Sequence, residues 1–234
     1  MTKSLDGSLS TFKDKISDCI KSKKSISVTT HIDCDGLASG SIITKALIRA
    51  GAKCTVRTSK EFSKNIIESF KTDSRDFHIV TDLGSGFANE LDKTLDDNWI
   101  ILDHHQIPDE ELDNENVINS WKYGIDGGVE ICAGGMAFLA SMALDEKNSE
   151  LSAIAVVSAL GDRQDQGERK SFTGKNFEIA NTAKDTGLMS MDLDLLLVGR
   201  ETRPLPEALA FTSQPFIEGL TWNRDACLSL LNSS

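Results

Sequence analysis

Eight side chains of two chemical kinds fall at the ends of apolar runs. They are His31, Asp33 and Asp35 in HIDCDG, Asp82 in VTDLGSG, Asp103, His104 and His105 in LDHH, and Asp162 in SALGDRQDQG. Carboxylates brought close together repel unless they share protons or cations. Mixed carboxylate and imidazole donors without a thiolate suit manganese, magnesium or a similar divalent ion better than structural zinc. Two such ions about 3.5–4 Å apart form a clamp for hydrolysing phosphate esters. Singly, each motif has a plainer reading. Asp33 or Asp35 could cap a helix, Asp82 could open a turn, DHH could be a solvated loop, and Asp162 could end a helix, with Asp165 as a competing candidate. The set outweighs its members because four separate segments place these residue types at equivalent positions.

The elements that must position them alternate. β-rich runs stand at 25–30, 53–58, 77–82, 98–103 and 116–120, with helical stretches at 36–50, 60–74 and 84–97 between them. That alternation predicts an α/β fold with an open, mainly parallel five-stranded sheet and helices on both faces. In such sheets ligands bind beyond the carboxyl ends of the strands, near a topological switch point. Three strands therefore deliver acids and histidines to one edge. The spacing buries Leu37, Ile42, Ile43, Leu47 and Ile48 on the first helix and ends it at Gly51. Beyond residue 120 the chain reads as a mainly helical continuation, with ICAGGMAFLASMALDE and SELSAIAVVSALGD as helices rich in small residues. SFTGKNFEIANTAKDTGLM and DACLSLLN also read as helical, on either side of a stretch holding Pro204, Pro206 and Pro215. One domain over 1–234 is the simplest account: a sheet core over 1–120 and the helical part after it.

Composition narrows the classes. A chain of 234 residues with 39% apolar content can build a real core, and no run of eighteen apolar residues is present to span a membrane. Five cysteines scattered singly read as reduced thiols of a cytoplasmic protein, not a disulfide framework or zinc cluster. A net charge of −11 disfavours nonspecific binding to a nucleic-acid backbone. Acids neutralised by bound cations would change that balance locally.

HIDCDG, VTDLGSG, LDHH and SALGDRQDQG, in this order, resemble the four consecutive motifs of the DHH phosphoesterase superfamily. The chain is most similar to its archaeal RecJ-like branch, which includes the nuclease associated with the GINS replication complex; ICAGGMAFLA and QPFIEGL add to the likeness. The resemblance implies that His31 and Asp33 ligate a first metal, that Asp35, His104 and Asp162 ligate a second, and that Asp82 bridges them. It implies two divalent ions, manganese or else magnesium. His105 would stabilise charge at the scissile phosphate, and Asp103 would orient the histidines. No expected acid or histidine is missing, unlike in the metal-free relatives that act as helicase scaffolds. The HxDxD spacing of His31, Asp33 and Asp35 also departs from the HxxxDxD of the pyrophosphatase relatives.

The implied activity is a single-strand-specific exonuclease on DNA or RNA, working 5′ to 3′ in replication or repair. A GINS-binding replisome module, or a phosphodiesterase for oligonucleotides or cyclic dinucleotides, are the alternatives. Family exonucleases continue into a DHH-associated domain with a Gly-rich motif, and no GGGH-like segment stands before Ser234. The expectation is thus a catalytic domain without that appendage. Nearer the site, Ser85 is a candidate to offer a hydroxyl to substrate, between Gly84 and Gly86, whose freedom allows close backbone approach. Arg163 and Gln164 either contact a phosphate or lie in a solvated loop. Arg169 and Lys170 read as a charged surface turn. Trp99, Trp121 and Trp222 are too dispersed to form a stacking platform and read as core or interface residues.

Overall fold

A computed structural model describes residues 4–193 and 195–233. The β-branched runs form five strands: β1 (Ser25–His31), β2 (Lys53–Ser59), β3 (Phe77–Thr81), β4 (Trp99–Asp103) and β5 (Val117–Asn119). They pair in parallel in the order β2-β1-β3-β4-β5. The chain turns outward from β1 to β2, then returns to the other side of β1 as β3. The switch point therefore lies between β1 and β3, where open α/β sheets bind ligands. Register sets the edge: Thr30 pairs with Thr81, Thr81 with Leu102, and Asp103 with Asn119. His31, Asp82 and Asp103 consequently emerge together.

Side chains alternate between two cores, as the period of a strand requires. Ile26, Val28, Ile79, Ile100, Leu102 and Ile118 face one side, and Val80, Trp99, Ile101 and Val117 the other. The first face is covered by α1 (Leu5–Lys21), α2 (Cys34–Arg49), α5 (Ala133–Leu144), α6 (Ser152–Gly161) and α7 (Gly174–Asp185), and the second by α3 (Lys64–Phe70) and α4 (Ala88–Leu95). On α2, Ile42, Ile43 and Leu47 are fully buried, but Leu37 is 49% and Ile48 58% exposed. The expected burial of those two fails because they lie outside the stripe that α2 turns to the sheet. Gly51, with φ +85°, ends the helix as anticipated.

Before β1, Ser4 caps α1 through Gly7 N, and Leu9, Phe12, Ile16 and Cys19 form its buried stripe, which the sequence expectations do not include. The proline-containing stretch holds a further helix, α8 (Leu205–Phe211), with Pro206 in its first turn, where a missing N–H costs nothing. The chain divides into two compact units, Met1–Ser190 and Met191–Ser234. The second contains α8 and α9 (Arg224–Asn232), tied by Arg224 to Glu207, with Ala208, Ala210 and Cys227 buried. Among the described residues no helix is long and apolar enough to cross a membrane.

Candidate metal centre

Asp33 has two tasks. Its Oδ1 accepts Gly36 N at 2.9 Å and so caps α2, while its Oδ2 lies 2.7 Å from His31 Nδ1. The other ring nitrogen of His31, Nε2, is 3.2 Å from the Lys60 carbonyl. A carbonyl can only accept, so Nε2 carries the proton and Nδ1 is the nitrogen turned to the acids. A lone pair and a carboxylate that close need a proton or a cation between them. The Gly36 N–H and His31 outweigh partial burial and hold the Asp33 carboxyl below its usual range.

Asp82 follows β3 with φ +59°, rare for a residue other than glycine. Gly84 and Gly86 after it also have positive φ. Asp82 Oδ2 is buried without a hydrogen-bond partner, 3.7 Å from His31 Nδ1. Burial pushes the carboxyl up to about 7, Asp35 and Asp103 adding to the rise and His104 opposing it. An orphaned, desolvated carboxylate oxygen between other acids and an imidazole is what a cation site leaves when protein atoms alone are counted.

His104 is fixed in the same manner with the nitrogens exchanged. Its Nδ1 donates to Gly127 O at 2.6 Å, leaving Nε2 3.2 Å from Asp35 Oδ2 and 3.4 Å from Asp82 Oδ1. Burial disfavours charge on this ring, yet Asp82, Asp35 and Asp103 prevail and raise it to about 10. The acids thus favour positive charge beside Nε2, which either a proton or a bound cation can supply.

Asp35 is fully enclosed. Its Oδ2 accepts Ala133 N at 2.9 Å, and its Oδ1 accepts Gly134 N at 2.8 Å and the Ser158 hydroxyl. Those amides are the start of α5, whose dipole favours a carboxylate there. A Cβ on Gly134 would stand 2.0 Å from Ser158 Oγ, so glycine is required where α5 meets α6. Asp162 ends α6, with its Oδ2 2.8 Å from Gln164 Nε2; burial and Asp35 raise its carboxyl, against His104.

The donor atoms of His31, Asp33 and Asp82 lie within 4.8 Å of one another, as do those of Asp35, His104 and Asp162. Asp82, Asp103, His104 and His105 make a third such group. Asp165 is in none of them. Asp103 is buried. Its Oδ1 accepts His104 N at 2.8 Å, His105 N at 3.3 Å and His105 Nδ1 at 2.8 Å, and its Oδ2 accepts Ser85 N at 3.2 Å. Burial would raise its carboxyl, but His105 and these donors hold it down at about 2. The Asp103 contact, in turn, raises the half-exposed His105. Its Nδ1 is committed to Asp103, leaving Nε2 as the ring nitrogen open to a ligand.

Beside them, the Ser85 hydroxyl accepts Asn119 Nδ2 at 2.9 Å, and the same amide donates to His105 O at 2.9 Å. Glu111 receives Gly86 N and Ala88 N and fixes the loop after Asp82. Trp121 donates from Nε1 to His104 O at 2.8 Å. Sequence reasoning missed Asn119, Glu111, Ser158 and this use of Trp121, because their spacing is that of an ordinary loop or an apolar helix. Arg163 is exposed with φ +57°. Gln164, paired with it as a phosphate contact or loop residue, is instead fully buried and bound to protein atoms. Trp99 is buried in the core, and Trp222 is 73% exposed on this chain.

A family model described as "DHH family, N-terminal domain" matches residues 25–161. An uncharacterized protein of Methanocaldococcus jannaschii, MJ0831, is 31% identical over 218 residues, covering 88% of this chain. The chain spans 49% of that relative's length. Among solved structures, RecJ in complex with Mn2+ from Thermus thermophilus superposes over 88% of this chain and 30% of its own, with TM-score 0.62 and 21% identity. CDC45 from Entamoeba histolytica superposes over 87% of this chain and 46% of its own, with TM-score 0.58 and 15% identity. At those identities the two structures share the fold.

Proposed function

Because the chain belongs to the DHH family, we propose that it is a divalent-metal-dependent phosphodiesterase. Its finer assignment is a RecJ-like exonuclease that trims single-stranded DNA or RNA from the 5′ end in replication or repair. The observation that carries the reading is the buried, unpartnered Asp82 Oδ2 between two sets of carboxylate and imidazole donors. His31, Asp33 and Asp82 would hold one cation, and Asp35, His104 and Asp162, with Asp82 shared, the other. Manganese suits this donor set, and magnesium is the alternative. When bound, such ions polarise a phosphate ester and lower the pKa of water.

The chain's own groups supply the rest. Lys60 O and Gly127 O fix the tautomers of His31 and His104, so the free nitrogens face the acids. His105, its charge favoured by Asp103, would donate from Nε2 to a phosphoryl oxygen as negative charge develops there. Ser85 and the exposed Arg163 are the proposed substrate contacts. Five free cysteines accord with a reducing, cytoplasmic setting.

The test uses single strands labelled at the 5′ or the 3′ end, incubated with the protein and manganese. Mononucleotides released first from the 5′ label support the exonuclease. A ladder of internal cuts from both labels would reject it in favour of endonucleolytic cleavage, and intact strands beside hydrolysed dinucleotides would assign a small-substrate enzyme.

A further inference from the structure

Gln164 lies two residues past Asp162 and is fully buried. Its Nε2 is 2.8 Å from Gly127 O, 2.8 Å from Asp162 Oδ2 and 3.3 Å from Ile131 O. All three are acceptors, so only the NH2 end of the amide fits there. At the opposite end, Gln164 Oε1 accepts Asn176 Nδ2 at 2.5 Å. Asn176 is buried in the first turn of α7, and its own N donates to Glu130 O at 2.8 Å. The amide direction is thereby fixed from both sides.

The Gly127 carbonyl that receives Gln164 also receives His104 Nδ1. A Cβ on Gly127 would stand 1.8 Å from His104 O, so this loop is pressed against the histidine's backbone as well. Gln164 therefore grips Asp162 directly and His104 through one shared carbonyl. Among the described residues its side-chain hydrogen bonds go to Gly127, Ile131, Asp162 and Asn176, and none goes to His31, Asp33 or Asp82.

We propose that Gln164, oriented by Asn176, is a positioning residue for the Asp35–His104–Asp162 cation site alone. The inference rests on the reading of the two donor sets as cation sites. Partners that orient metal ligands are worth about 10–100-fold in metal affinity or activity. A buried amide that merely closed the loop would lower stability without separating the two sites.

Manganese alone is titrated into the protein by calorimetry, with free Mn2+ followed by its paramagnetic resonance. Wild type should bind two ions, and Asp162→Ala identifies the step that belongs to the second site. Gln164→Met should weaken that same step by about 10–100-fold and leave the other unchanged. Asn176→Asp is the second variant, should Gln164→Met fail to fold. A carboxylate at position 176 would draw the NH2 end round and turn Oε1 on Asp162 and Gly127, weakening the same step by a smaller factor. Thermal unfolding without metal shows which variants are folded. Folded variants with both steps unchanged, or both weakened alike, would overturn the proposal. A wild type that binds no manganese would overturn the cation reading beneath it, and is recognised because there is then no step to shift.

Discussion

Asp103 is tied to the proposed centre through the two histidines that follow it. It receives the backbone of His104 and His105 and the His105 ring, and it lies one residue outside both ligand sets. Asp103→Asn preserves the shape and removes the charge, so manganese binding should survive while turnover falls about 10–100-fold; steady-state kinetics beside a manganese titration would check both. His78 carries a different consequence. It is buried on β3 against Phe70, with Nδ1 unpartnered. Burial, opposed by Asp73 and helped by the Arg57 charge, lowers its pKa from 6.5 to about 4. Between those values the unfolded chain holds the proton and the folded chain does not, so this contribution is full above pH 6.5 and is lost as pH falls toward 4. It amounts to about 2 kcal/mol between pH 7 and pH 5. Denaturant unfolding at the two pH values should therefore show a smaller acid loss in His78→Leu than in wild type. Acids and histidines at strand ends were legible in the sequence. Gln164 and Asn119 were not, because an amide announces neither its burial nor its partners.

Among the elements, the strands and the first crossover helix followed directly from periodicity, since β-branched runs and a glycine stop are local signals. Two features resisted. Leu37 and Ile48 are apolar yet exposed on α2, since apolar spacing marks a stripe but not its width. The GG pair in ICAGGMAFLA showed that something packs closely there, but not that the start of α5 cradles Asp35 beside Ser158. Gly134→Ala would drive a methyl into Ser158 and part α5 from α6. A stability loss of about 1–3 kcal/mol is expected, with weaker manganese binding because Asp35 moves with the helix. Thermal unfolding and a manganese titration on one sample would check it. If Gly134→Ala lost stability but bound manganese as wild type does, the cradle would have no part in holding Asp35.

For the whole molecule, strand order 2-1-3-4-5 places the switch point between β1, which ends at His31, and β3, which leads into Asp82, so topology brings these two and the His104 that follows β4 to one edge. Cations bound only by the folded state would stabilise it by about 2.7 kcal/mol per site at one hundred times Kd. Manganese should accordingly raise the unfolding temperature of wild type and not of Asp82→Ala, and chelation should reverse the gain. The fold class was legible because strand and helix alternate over 25–120. The central claim is that the shared Asp82 centre hydrolyses phosphodiesters with bound cations. Nucleotide release from a labelled single strand, in manganese and then in chelator, measures it most directly. Release by wild type that chelator abolishes and Asp82→Ala lacks is the result expected. Release that persists equally in chelator or in Asp82→Ala, or no release by manganese-loaded wild type, would contradict it.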